Sequence, residues 1–411
     1  MSGALAIAAR DGAARAGTVT TAHGAFTTPA FMPVGTHATV KSLDPTEVRA
    51  CGAEILLCNG YHLMLRPGVE LVERAGGLHR FMGWDGPILT DSGGYQLVSL
   101  EDRAVVEDDG AVFVSPYDGT RLRVRPEDAV AAQSRLGSDI IMCLDHPVAY
   151  GASAARTEEA TARTHRWAER CRAAHPAPGR QLLFGIAQGG FDPQLRAASA
   201  RLVAGLDFDG MAIGGLALGE PVAVMAAMAE VSVAELPERL PRYVMGLGTD
   251  NELLTMVGLG IDMFDCVVPT RLARNAVALT RAGRLSLKQA AWRDDLRPVE
   301  EGCPCSCCRR FSRAYLRHLF GAGEILAHRL VSIHNLTHLA QLMAEAREAI
   351  VMGRFADHRA EVAERLARGQ RDDAGARGVS ADPGAAAPAE AGTPVTRAAP
   401  AAPVGADRPR P

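Results

Sequence analysis

Eight times between about residues 25 and 295 the chain repeats one unit: a short apolar run, a glycine-rich or polar turn, then an amphipathic stretch. The runs are TPAFMPVGT, AEILLCNGY, GPILTDSGG, SDIIMCLDH, LLFGIAQGG, FDGMAIGGL, PRYVMGLGT and IDMFDCVVPT. Near-continuous apolar runs of this length mark strands buried on both faces, as helix-covered parallel strands are. The intervening stretches, among them PTEVRACGA, PEDAVAAQSRLG and NELLTMVGLG, carry helical spacing. Eight βα units in about 270 residues match the count and size of a (β/α)8 barrel, an α/β fold. A doubly wound sheet is the alternative, but it usually places a GxGxxG turn after an early strand, and none stands there.

In such a barrel, the polar residues that follow the strands converge at the C-terminal mouth, where active sites form. Here those positions hold Asn59 and His62, Asp91, Asp145, Gln188, Gly214 and Gly215, Gly246 and Gly248, and Asp265. Any one of these aspartates, taken singly, reads better as a helix cap. Three carboxylates at one mouth raise each other's pKa and are costly to gather, so the set reads as a site. A glycine pair after a strand lets a flat ligand approach the backbone. Asp, Gln and backbone polar groups suit the edge of a purine, and a carboxylate accepting from an N1–H and a 2-amino group selects guanine over adenine. Asp265 sits at the end of an apolar strand, and carboxylates are competent nucleophiles at anomeric carbons. A second carboxyl group must then protonate the leaving base; Asp91 and Asp145 both qualify, and spacing does not choose between them.

The formal net charge of −3 gives no overall polyanion signal, but from Arg271 to Arg317 ten Arg and one Lys stand against four acidic residues. That local excess suggests one face for nucleic acid. Four of the nine cysteines fall in CPCSCC, read as Cys303-x-Cys305-x2-Cys308 with Cys307 as an extra thiol, and His334 follows in SIHNL. Three thiolates and an imidazole make a closed, structural zinc site. His318, His328 and His338 are rival fourth ligands, and Cys307 competes with Cys308. The scattered thiols, and His23, His79 and His175, read as core or structural residues. No apolar run reaches the roughly 18–20 residues that span a bilayer, and the N-terminus is a poor signal peptide, so a cytoplasmic location is expected.

The long ordered motifs GTHATVKSL, NGYHLMLRPG, LTDSGGYQ, GIAQGG, MAIGGLALGE, MGLG, GIDMFDCVVPTR, CPCSCC and SIHNL resemble those of the tRNA-guanine transglycosylases, in particular the bacterial, queuine-pathway type. The resemblance runs from about Gly17 to His358. It implies an irregular (β/α)8 barrel with a zinc-binding subdomain, and a reaction that exchanges the wobble guanine of GUN-anticodon tRNAs for 7-aminomethyl-7-deazaguanine. By resemblance Asp265 is the nucleophile and Asp91 the general acid/base, with Asn59 its partner. Asp145, Gln188, Gly215 and the Leu216 carbonyl read the base, Tyr95 stacks on it, and Met245 lines the pocket. Arg271 and Arg274 contact the anticodon loop, and Cys303, Cys305, Cys308 and His334 hold one structural zinc per chain. The family also implies a homodimer. Exchange with retention at C1′ requires two inversions, hence a covalent tRNA–Asp265 intermediate. Pro147 stands where many bacterial members have Cys, a change at the floor of the base pocket that leaves the choice between 7-aminomethyl-7-deazaguanine and queuine open. Leu218 is bulky where queuine-using members are small, which favours the smaller incoming base. Asn275 is followed by Ala276 where a glycine is frequent.

The expected division is a catalytic barrel over 1–299, a zinc subdomain over 300–335, a closing helix over 336–368 and a disordered Ala/Pro/Gly-rich tail over 369–411. An archaeal-type enzyme acting on the D-arm would carry further RNA-binding domains. A non-catalytic tRNA-binding subunit would be expected to lose catalytic aspartates, and a barrel hydrolase would not hold tRNA covalently.

Overall fold

A computed structural model describes residues 4–176 and 181–377. Its centre is a closed barrel of eight strands. They are β1 (Ala30–Gly35), β2 (Leu56–Cys58), β3 (Ile88–Thr90), β4 (Ile140–Met142), β5 (Leu182–Ala187), β6 (Gly210–Ile213), β7 (Arg242–Val244) and β8 (Met263–Cys266). Each of the eight apolar runs supplies one strand. Neighbours in sequence are neighbours in space, every pairing is parallel, and β8 closes on β1 with Met263 opposite Ala30. All of the strand residues except Leu182 and Asp265 are buried, as strands sandwiched between a side-chain-filled interior and outer helices must be.

Two antiparallel sheets make the barrel irregular, and neither was expected from the sequence. The first, Leu5–Asp11, Ala14–Thr21 and Gly24–Thr28, covers the N-terminal end of the barrel. Its anchors reach residues that precede strands. Arg15 Nε and Nη2 donate to Asp262 at 2.8 and 2.5 Å, and its other donors reach the carbonyls of Glu238 and Leu240. His23 and His79 stack with ring centroids 3.6 Å apart, and both lie on the buried Asp139 carboxylate. Asp139 also accepts from the backbone N–H groups of His23 and Ile88, so the cluster reads as a filled polar lock. The second sheet, Ala104–Glu107, Gly110–Val114 and Arg121–Val124, is inserted between β3 and β4.

The C-terminal third departs from the expected division. Helix Ile325–Val351 begins inside the cysteine segment and carries His334, so residue 335 is no boundary. Rather than one closing helix over 336–368 there are two, separated at Gly353, whose φ of +68° ends the first helix. The second runs Phe355–Arg377, so residues 369–377 are helical where a disordered tail was expected. Gly369 misled composition reasoning: it sits where the helix crosses the hairpin Val277–Ser286, and a Cβ there would overlap the Ala282 carbonyl. Residues 378–411 of the expected tail lie outside the described residues. Among the described residues no helix is long and apolar enough to cross a membrane.

Candidate active site and metal centre

The parallel barrel delivers the chemistry-bearing side chains to one end because each follows, or ends, its strand. Asn59 follows β2, Asp91 follows β3, Asp145 lies past β4, Gln188 follows β5, Gly214 and Gly215 follow β6, and Asp265 is the last residue but one of β8. Asn59 is the N-cap of helix Gly60–Leu65: its Oδ1 accepts from His62 N at 3.0 Å, which leaves Nδ2 free to donate to Asp91 Oδ2 at 2.5 Å. The backbone N–H of Gly60 holds the other oxygen, Asp91 Oδ1, at 2.8 Å. A Cβ on Gly60 would strike the Asp91 carbonyl, so only glycine lets these two loops meet.

Across the mouth, Tyr243 Oη donates to Asp265 Oδ1 at 2.5 Å and Gly246 N–H donates to the same oxygen at 3.1 Å, which leaves Oδ2 without a donor among the described residues. Gln188 Nε2 donates to the buried Asp145 Oδ2 at 2.6 Å, while Gln188 Oε1 is buried with no partner. A Cβ on Gly94 would overlap Asp145 Oδ1, and Cβ atoms on Gly214 and Gly215 would overlap the Gln188 amide. The glycines therefore let loops close around this pair of polar side chains. Tyr95 stands over half exposed beside them, Met245 is partly buried, and Leu216 is buried.

Burial dominates the electrostatics. It pushes the Asp91 carboxyl up to about 7, with the charges of Asp265 and Asp145 adding to the effect against the donors from Gly60 and Gly93. Asp145 rises to about 6 through burial, opposed by Gln188. Asp265 is also raised by burial, with Tyr243 and Gly246 opposing. Near neutral pH, Asp91 is thus poised between acid and base, whereas Asp265 has one oxygen braced by two donors.

Arg271 and Arg274 lie on helix Val268–Arg274 directly after β8, the first exposed and the second partly so. Pro147 is buried in the loop after β4, and Leu218 is partly buried with its N–H on Glu220. Sequence reasoning missed two residues here. Tyr243 is the single polar-tipped aromatic of β7 and lies beside β8. Arg196 is fully buried, and its signal was legible: with Ser199, Ala200 and Val203 it occupies the i, i+3, i+4, i+7 stripe that faces inward.

A second centre lies in the cysteine segment. Cys303, Cys305 and Cys308 Sγ stand 3.6, 3.7 and 3.3 Å from His334 Nδ1, and all four donor atoms lie within 4.8 Å of one another. His334 Nε2 points to the Leu279 carbonyl at 2.7 Å, an orientation that fixes the tautomer and frees Nδ1 for a metal ion. This set could hold a metal ion. Cys307 is buried outside it, and His338 instead pairs with Asp250 at 2.9 Å. His318 and His328 lie tilted against Tyr315 and Phe320, outside the cluster.

Fold and site together define a parallel (β/α)8 barrel with buried carboxylates at its C-terminal mouth and a Cys3His cluster near its C-terminal helices. A family model described as Queuine tRNA-ribosyltransferase matches residues 11–368. The chain belongs to that family, the tRNA-guanine transglycosylases, which are pentosyltransferases. It is similar to the queuine tRNA-ribosyltransferase of Solidesulfovibrio magneticus, 52% identical over 361 residues, 88% of this chain and 97% of the relative. The enzymes of the same name from Acetivibrio thermocellus and Moorella thermoacetica are each 49% identical, covering 86% and 88% of this chain and 94% and 96% of their own lengths.

Proposed function

We propose that the protein exchanges the wobble guanine of GUN-anticodon tRNAs for 7-aminomethyl-7-deazaguanine by double displacement. The observation that carries the reading is the pairing of two differently prepared aspartates at one barrel mouth: Asp91 raised to about 7, and Asp265 braced on one oxygen with the other free. Asp265 Oδ2 attacks C1′ as the glycosidic C–N bond breaks, and the Asp91 carboxyl gives its proton to the departing guanine. The Asp91 carboxylate then takes a proton from the incoming base, whose nitrogen displaces Asp265 from C1′. Asp145, Gln188, Gly215 and Leu216 read the base edge, Tyr95 stacks on it and Met245 lines the pocket. Arg271 and Arg274 meet the anticodon-loop phosphates. The partly buried Leu218 supports the smaller incoming base over queuine.

The metal ion is zinc and structural. A tetrahedron with Zn–S of about 2.3 Å and Zn–N of about 2.05 Å sets sulfur and nitrogen about 3.6 Å apart. The observed separations of 3.3 to 3.7 Å fit that spacing. Cys303, Cys305, Cys308 and His334 would fill all four positions, so the ion stiffens the subdomain and leaves no site for substrate. Family membership supports a homodimer and a cytoplasmic setting.

The test is incorporation of radiolabelled guanine into a GUN-anticodon tRNA, run in parallel with Asp265→Asn. Label is expected in tRNA with the parent and at least about 10³-fold less with the variant. A parent that binds tRNA and zinc but incorporates no label overturns the catalytic reading. Competition by 7-aminomethyl-7-deazaguanine or by queuine then names the incoming base.

A further inference from the structure

Arg196 is a fully buried cation that donates no hydrogen bond to a carboxylate. Its Nε and Nη2 donate to the Gly190 carbonyl at 3.0 and 2.6 Å, and its Nη1 and Nη2 donate to the Gly214 carbonyl, both at 3.2 Å. Ser232 Oγ lies 3.5 Å from Nη1. Buried guanidinium groups are usually paired with acids, and a buried charge left on backbone carbonyls alone is costly. Burial pulls its pKa to about 10, with Glu220 opposing from a distance, so it stays charged near neutrality.

The two carbonyls belong to the loops that follow β5 and β6, the first of which carries Gln188. The Gly214 carbonyl and the Gly215 N–H are the two ends of one planar, conjugated peptide unit. Two charged donors on the oxygen draw electron density from that unit and make its N–H a stronger donor. Gly215 N–H meets no acceptor among the described residues, and its neighbour Gln188 Oε1 is buried and unpartnered. The wall therefore carries a sharpened donor with nothing to satisfy it.

We infer that Arg196 is a positioning residue for base exchange: its buried charge polarises the Gly214–Gly215 peptide so that Gly215 N–H grips a carbonyl oxygen on the bound base. The inference rests on the reading of Gly215 as a base-binding position. Arg196 touches no substrate. It acts through the peptide and ties the loop that carries Gln188 to the loop after β6.

Guanine and 6-thioguanine separate this role from plain scaffolding, because they share every edge group except the oxygen, and sulfur is the weaker acceptor. Binding of each base is measured by calorimetry on the metal-loaded, full-length protein. Arg196→Met is expected to weaken guanine at least about tenfold and 6-thioguanine no more than about threefold, with Arg196→Lys recovering most of the guanine affinity. Equal losses for the two bases, no loss for guanine, or a Lys variant as weak as the Met variant would overturn the inference. Should the variants not fold, the parent decides. Its Gly215 amide proton, assigned with glycine-selective labelling, is expected to move downfield with guanine and less with 6-thioguanine. An amide proton that moves equally with both, or not at all, overturns the inference. A parent that exchanges guanine yet fails these tests leaves the transglycosylase reading standing. A parent that binds no guanine sinks both.

Discussion

The burial that raises the Asp91 and Asp145 carboxyls costs stability, and the sign follows from it. A carboxyl whose pKa is higher folded than unfolded holds its proton more tightly when folded. Its contribution is therefore full below the unfolded value near 4 and is lost as pH climbs through the folded value, about 6 for Asp145. Removing the ionisable group at that site should stabilise the fold at pH 8: Asp145→Asn is expected to raise stability by roughly 2–3 kcal/mol while abolishing guanine binding. Denaturant titrations at pH 5 and pH 8 check this, the gain at pH 5 being about half that at pH 8. For Asp91, whose carboxyl rises to about 7, kcat/KM for tRNA should fall on the alkaline side of that value, since the proposed first step needs the protonated acid. Asn59 donates to the ionised form at 2.5 Å. Asn59→Ala should therefore move the alkaline limb to higher pH, and a pH–rate profile in which the limb stays put or moves down would sink that role.

At the scale of elements, the metal centre shows how little of a helix needs to be chemistry. Helix Ile325–Val351 is buried along most of its length and contributes one member of the candidate donor set, His334. The next residue, Asn335, accepts from Leu279 N at 2.8 Å and donates to the Pro269 and Val277 carbonyls. One turn of helix thus joins the metal cluster to the element that follows Asp265. Cys307→Ser should retain one zinc per chain by elemental analysis, and Cys308→Ser should lose it and lower the thermal midpoint, because only Cys308 belongs to the donor set. Zinc retained by the Cys308 variant and lost by the Cys307 variant would exchange the two assignments. Sequence spacing left that choice open, as it left His318, His328 and His338 in play. The geometry chooses by placing His338 on Asp250.

For the whole molecule, the barrel's N-terminal end is closed by a sheet whose main anchor is a buried ion pair. Arg15 and Asp262 are each essentially unexposed and joined by two hydrogen bonds, with Arg242 N–H on the same carboxylate at 2.6 Å. Removing one partner strands the other charge, so Arg15→Met is expected to cost about 3–5 kcal/mol, read by chemical denaturation. Asp262 lies in the same apolar run as Asp265, at the opposite end of β8. One end of the strand therefore uses its acid for stability and the other presents its acid at the mouth, the division that barrel strands generally show.

The eight strands, their parallel order and the polar residues at their ends were legible because burial on both faces forces an apolar run and the strand then ends in a turn. CxCxxC with a distant histidine was legible because thiolate ligands must be close in sequence to enclose an ion. Local pattern could not supply the two antiparallel sheets, whose anchors such as Arg15–Asp262 are separated by 247 positions. Nor could it supply Tyr243 on Asp265, Arg196 on Gly214, or the choice among acids at the mouth. Those depend on which groups burial and strand order bring within about 3 Å of each other, where desolvation and hydrogen bonding set the charge, and only the tertiary structure decides that.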